Sequence, residues 1–168
     1  MFNIGDLVVH PMHGAGVIDD IVREKVTGSE KEYYVFKMPM GGLILKIPTA
    51  NSQAIGIRSI ISPDEAEAFF DGIPGLEVEV NANWNKRYQE NLTRLKSGDL
   101  NEVARVVKGL MRRESRRSLS TGERKMLHSA KQIIISEIVL VEGSAYQDVE
   151  ARLDRAVMQP ARREKEKV

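Results

Sequence analysis

The chain has 168 residues, 42% hydrophobic and 29% charged, and no cysteine. That length holds one domain or two small ones with a real core, and the apolar content excludes a disordered chain. Without cysteine there is no disulfide framework, thiolate metal site or cysteine nucleophile, and no apolar run approaches the ~18–20 residues of a membrane span. The opening MFNIGDLVVH lacks the basic start of a signal peptide, so a soluble cytoplasmic protein is expected.

The net charge of +1 conceals blocks. Residues 1–60 carry six bases and six acids, and residues 61–80 carry six acids and no base. Residues 81–131 carry thirteen bases and five acids, a balance of +8, and residues 132–168 carry six bases and seven acids. A basic block of this size is the footprint of a nucleic-acid surface, and equally of helices kept soluble by cations.

The first sixty residues read as β structure. Leu7, Val8 and Val9 form a short apolar run, Pro11 to Gly14 a turn, and Val17, Ile18, Ile21 and Val22 a second run with a bend or bulge at Asp19-Asp20. Thr27-Gly28-Ser29 is a turn signal, Glu32 to Met38 a strand rich in aromatic and branched residues, and Pro39 to Gly42 a tight turn into a strand from Leu43 to Ile47. A last strand is expected from Ile55 to Ile61. Short strands at this spacing predict a small barrel or a strongly bent sheet.

The pattern changes at Ser62-Pro63-Asp64-Glu65, which combines a cap, a first-turn proline and a capping-box glutamate. A short helix ends near Gly72, and Ile73 to Val80 reads as a linker. Further helices are expected from Trp84 to Lys96, from Asp99-Leu100 to about Arg113, from the Ser120-x-x-Glu123 capping box to about Val141, and from Ala145 to Met158. The predicted architecture is α+β in two modules: a β module over residues 1–61, an all-α module over 62–160, and a charged tail over 161–168.

Catalysis finds little support. His10 and His13 sit in a turn without a third ligand, no phosphate-binding glycine loop follows a strand, and nothing orients the carboxylates of residues 61–80. No cofactor, catalytic residue or metal site is expected.

The helices offer more. Trp84, Tyr88, Leu92 and Leu95 share one face at helical spacing and make a packing stripe. Yet Trp84 opens its helix and is followed by Lys86 and Arg87, with Arg94 two turns on and Asn83 and Asn85 beside it. Cations and terminal amides can hold phosphates while an aromatic ring wedges at a base step. The next helix buries Leu100, Val103, Val106, Val107, Leu110 and Met111, and presents Arg105, Lys108, Arg112, Arg113, Arg116 and Arg117. Arg124, Lys125 and Lys131 extend the basic surface. No helix-turn-helix signature is present, so phosphate and shape contacts are expected rather than base reading. The other reading is a protein–protein adaptor whose basic helices meet an acidic partner; it requires Trp84 to be buried.

GDLVVHPMHGAGVI, EYYVFKM, LILKIP, NWNKRYQENLTRLKSGDLNEVARVV and LSTGERKML, in this order and spacing, resemble the CarD/CdnL family of bacterial transcription regulators from about residue 4 to 157. The resemblance implies a Tudor-like, SH3-like barrel that binds the β subunit of bacterial RNA polymerase. It also implies a helical domain that contacts promoter DNA at the upstream edge of the melted bubble, wedging a tryptophan into the minor groove and prolonging the open complex. That tryptophan corresponds to Trp84, with Lys86 and Arg87 as phosphate-facing bases. Including neighbours on the same helical surface, the expected DNA-binding set is Trp84, Asn83, Lys86, Arg87, Arg94, Arg112, Arg113 and Lys125. On the barrel, Lys46 matches a polymerase-facing base. A second such position is Glu24 here, where a one-residue slip lets Arg23 substitute. The protein is expected to act as a monomer in the complex, away from any membrane.

Overall fold

The computed structural model describes residues 1–78 and 81–160. The expected tail over 161–168, and residues 79 and 80 of the expected linker, lie outside the described residues.

Five antiparallel strands form one sheet in the order β4-β3-β2-β1-β5. They are β1 (Leu7–His10), β2 (Gly14–Val26), β3 (Ser29–Lys37), β4 (Ile44–Pro48) and β5 (Arg58–Ser59). The long β2 bends the sheet into the expected SH3-like barrel because it serves two partners. Residues Gly14–Val17 pair with β1, and Val17–Val26 with β3. The register shifts between Ile18 and Asp20, so Asp19 is the extra residue of a bulge, where the two aspartates led us to expect one. Thr27 and Gly28, both at positive φ (49° and 81°), close the β2–β3 hairpin as a two-residue turn whose twist suits the strands. Val8, Ile18, Tyr34, Phe36, Met38, Ile47 and Ile57 fill the barrel.

One strand is shorter than expected. Instead of an extended run from Ile55, Ser52–Ile55 makes a single helical turn, α1, and only Arg58–Ser59 pairs. The Ser52 hydroxyl donates to the Thr49 carbonyl, and the Gly56 amide donates back to Ser52 and Gln53, so the chain turns before it extends. Ile55 and Ile57 would share one face of a continuous strand, but the helical turn separates them: Ile57 is buried and Ile55 is exposed.

The helices follow the predicted caps closely. They are α2 (Pro63–Gly72), α3 (Trp84–Lys96), α4 (Leu100–Glu114), α5 (Thr121–Glu142) and α6 (Tyr146–Met158). Ser62 and Glu65 form the complete capping box, Asp99 and Ser120 cap α4 and α5 as expected, and Asn83, expected only as a donor beside Trp84, caps α3. Their apolar stripes, from Ala66 to Val157, make a second core separate from that of the barrel. The expected linker starts as part of this core. Ile73 is wholly buried, and the Lys108 ammonium donates to the carbonyls of Ile73, Pro74 and Leu76 at 2.8–2.9 Å. Lys108 is therefore an internal clamp and not the surface cation expected of it.

The two cores meet along α5. Gly14, at φ 106°, brings the β1–β2 hairpin so close to α5 that a Cβ there would lie 2.4 Å from the Ser136 hydroxyl. That hydroxyl accepts from the Ala15 amide at 2.9 Å. One residue on, the wholly buried Glu137 carboxylate accepts from Arg58 Nη1 and Nη2, at 2.8 and 2.7 Å, and from the Ile61 amide at 2.9 Å.

Candidate nucleic-acid interface

Three helix ends converge on Ser120: the N-termini of α3 and α5 and the C-terminus of α4. Trp84, first residue of α3, is 43% exposed. Its ring stacks on Tyr88 one turn later, with centroids 5.1 Å apart and planes 16° off parallel, and its indole nitrogen donates to the Ser120 hydroxyl at 3.3 Å. The same hydroxyl accepts from the Glu123 amide at 3.2 Å, which caps α5, and reaches the Glu123 carboxylate at 3.3 Å. One donor and two acceptor sites are all a hydroxyl has, and all are used. The indole is thus outside the core yet oriented, which the adaptor reading did not expect.

Glu123 anchors this arrangement from below. Arg87 donates to it through Nε at 3.0 Å and Nη2 at 3.4 Å, while Nη1 donates to the Asn81 carbonyl at 3.0 Å. Arg113 lies 3.9 Å from the same carboxylate. Burial pushes the Glu123 carboxyl up. The hydrogen bond and charge of Arg87, with Arg113 and the Ser120 hydroxyl, outweigh that and hold it below the ordinary glutamate value. The expected capping box at α5 is therefore half a box, because the carboxylate turns to Arg87 instead of back to the Ser120 amide.

Arg87 corrects the sequence reading. It is 5% exposed and spent on an internal ion pair, so its guanidinium does not face phosphates. Residues 87, 91 and 95 lie four apart, and all three are buried; they form the inward stripe of α3. Arg94 and Arg113 also turn inward. Arg94 pairs with Glu102 at 3.5 Å and donates to Asn91, and both arginine side chains are about one-quarter exposed. Arg105 pairs with Glu102, and Lys131 with Glu150 and Asp154, away from Trp84. Lys86, Arg112, Arg116, Arg117, Arg124 and Lys125 stand exposed on the three converging ends. Asn83 is exposed too, its side chain accepting from the Lys86 amide as the α3 cap.

The holders of Trp84, namely Tyr88, Ser120 and Glu123, were legible only as a packing stripe and a cap. The residues joining the modules carried a signal that went unread. Ser136-Glu137 interrupts the apolar run Ile133–Val141, and a polar pair at that place needs partners from elsewhere.

On the barrel, Lys46 and Glu24 form a half-exposed salt bridge on one face of the sheet. Side chains alternate along a strand, so Arg23 points to the other face, where it lies 3.6 Å from Glu32. Arg23 does not take the place beside Lys46 that a one-residue slip would give it. The histidine rings of His10 and His13 are 4.6 Å apart, and His10 Nδ1 accepts from the Met12 amide. Among the described residues no group of three or more metal-binding side chains occurs, and no helix is long and apolar enough to cross a membrane.

A bent sheet joined to a helical bundle presents an oriented surface tryptophan among exposed cations. Comparison with known proteins supplies the class. Residues 2–61 match the CarD-like/TRCF RID domain and residues 70–154 match the CarD C-terminal domain. The chain is 33% identical over 143 residues, 85% of its length and 94% of the other's, to YdeB of Bacillus subtilis (strain 168), a transcription factor by its given name. The chain belongs to the CarD-like family of transcription regulators, which are not enzymes, as the resemblance implied.

Proposed function

We propose that this protein holds RNA polymerase by its β subunit through the barrel and promoter DNA through the converging helix ends, prolonging the open complex with Trp84 as a wedge at the upstream edge of the bubble. The supporting observation is the state of Trp84: exposed, yet fixed by Tyr88 and Ser120 among exposed cations. An oriented ring has little freedom left to lose on insertion. Unstacking a base step costs a few kcal/mol, which ring burial and phosphate contacts offset in part, and a net gain of about 1.4 kcal/mol shifts the open state tenfold.

The DNA set that follows is Trp84, Asn83, Lys86, Arg112 and Lys125, with Arg116, Arg117 and Arg124 added. On the barrel, the face carrying Lys46 and Glu24 meets polymerase, beside the edge strand β4, where Ile44 is exposed. Binding requires opening or recruiting the Lys46–Glu24 bridge. On this reading one copy acts per complex, in the cytoplasm.

The test is open-complex lifetime on a bacterial promoter with polymerase holoenzyme. Wild-type protein lengthens it; Trp84→Ala returns it to baseline with polymerase binding intact, and Lys46→Glu loses polymerase association. A lifetime unchanged by wild-type protein despite polymerase binding overturns the reading, and a normal lifetime with Trp84→Ala removes the wedge.

A further inference from the structure

The geometry of the joint between the modules points to a second requirement for the wedge. We propose that Arg58 and Glu137 are positioning residues: together they fix the angle at which the barrel presents α3, and so decide which base step Trp84 meets. This inference rests on the proposed function.

The contacts are of two kinds. At Gly14 the hairpin backbone lies against Ile133 and Ser136 of α5, and the Ala15 amide donates to the Ser136 hydroxyl. Backbone packing of this kind fixes how closely hairpin and helix approach more than the angle between them. Arg58 adds direction. From its strand it donates twice to Glu137 on α5, and its Nε donates to the Gly98 carbonyl at 3.0 Å. Gly98 lies just beyond the C-terminal end of α3, and Trp84 opens the other end of that helix. A planar guanidinium with its donors in a fixed fork constrains direction as well as distance.

The helical module, to which Trp84 and Arg87 tie the start of α3, is therefore a lever held near Gly98. From Gly98 to Trp84 α3 spans about 20 Å at 1.5 Å per residue. A swing of about 10° at the held end carries the indole about 3.5 Å, roughly one base step. A joint that rocks by that much spreads the wedge over neighbouring steps without weakening either module's own binding.

A buried ion pair fixes geometry more than it adds stability, and apolar residues of similar size commonly replace one without loss of folding. The double variant Arg58→Met with Glu137→Leu exploits this. The chain has no cysteine, so Lys31→Cys on β3 and Gln89→Cys on α3, both exposed, take nitroxide labels at two sites only. Pulsed electron–electron resonance then reads the distance between modules in the full chain. Wild type is expected to give one narrow distribution, and the double variant, still melting in one cooperative transition, one at least twice as broad. In unlabelled protein the double variant is expected to keep polymerase and free-DNA affinity while its extension of open-complex lifetime falls about tenfold. A narrow distribution in the folded double variant overturns the proposal, as does a broadened one with wild-type lifetime. Should the double variant fail to fold, Glu137→Gln, which keeps the shape and removes the charge, is read by the same two outcomes. A wild-type protein that leaves the lifetime unchanged overturns the proposed function instead, while the distance measurement still decides the joint.

Discussion

Helix α5 carries two serine–glutamate pairs, and each pair holds an arginine from another element. Ser120 and Glu123 lie three apart, on one face, and gather Trp84, Arg87 and Arg113 at one place on the surface. Ser136 and Glu137 are consecutive, 100° apart around the axis, and grip different elements: the hairpin through Ala15, and β5 through Arg58. The same two side chains therefore orient an exposed ring in one case and lock two cores together in the other. Spacing along the helix, and not residue type, makes the difference.

The comparison is broken most severely at Arg87. Truncation to alanine leaves Glu123 buried with only the more distant Arg113 and the Ser120 hydroxyl. Removing one partner of a buried pair costs about 3–5 kcal/mol, which lowers the melting temperature by roughly 10 °C in a chain of this size. Thermal melting followed by circular dichroism checks it. A variant that melts like wild type but binds DNA more weakly would return Arg87 to the phosphate-facing role the sequence implied.

The two serines sharpen the comparison. Ser136→Ala strands the buried Ala15 amide, at a cost of about 1–3 kcal/mol, and leaves the indole untouched. Ser120→Ala removes a helix cap, about 1 kcal/mol, and also the indole's acceptor. Trp84 is the single tryptophan, so fluorescence reports on it alone. Ser120→Ala is expected to lower tryptophan anisotropy while Ser136→Ala leaves it unchanged. Unaltered anisotropy in Ser120→Ala would assign the orientation of the ring to Tyr88 stacking alone.

What the sequence discloses about this pair of joints follows from how far each signal reaches. Helix starts are local: Ser62, Asp99 and Ser120 cap where their neighbours say they should. The bulge at Asp19 is equally local. Exposure is not. Arg87 and Lys86 are adjacent cations in the sequence, and only the direction of the 87–91–95 stripe, set by packing against α4 and α5, buries one and exposes the other. Lys108 gave no warning, because its three carbonyl partners lie 32–35 residues earlier. Glu137 is a charge in an apolar run and so calls for a partner, a signal that was missed, and its arginine is 79 residues away. Residue type announced that a partner was needed, and the fold chose it.

The smallest effect separates the two regions by pH. His10 ends β1, three residues before the turn leads into Gly14 and the joint. Burial, then the charge of His13, lowers its pKa from 6.5 to about 4. Between those values the unfolded chain binds the proton and the folded one does not. The contribution of His10 is therefore complete above pH 6.5 and lost as pH falls toward about 4. Glu123, held below its ordinary value, keeps its contribution through the upper part of that window and loses it only at lower pH. Acid is thus expected to weaken the barrel side before the Trp84 side. His10 is half-buried and partly screened by water, which keeps its share small. Urea midpoints measured from pH 7.5 down to 4 should fall for wild type and fall less for His10→Asn. Equal slopes for the two proteins would take His10 out of the acid response and leave the carboxylates to account for it.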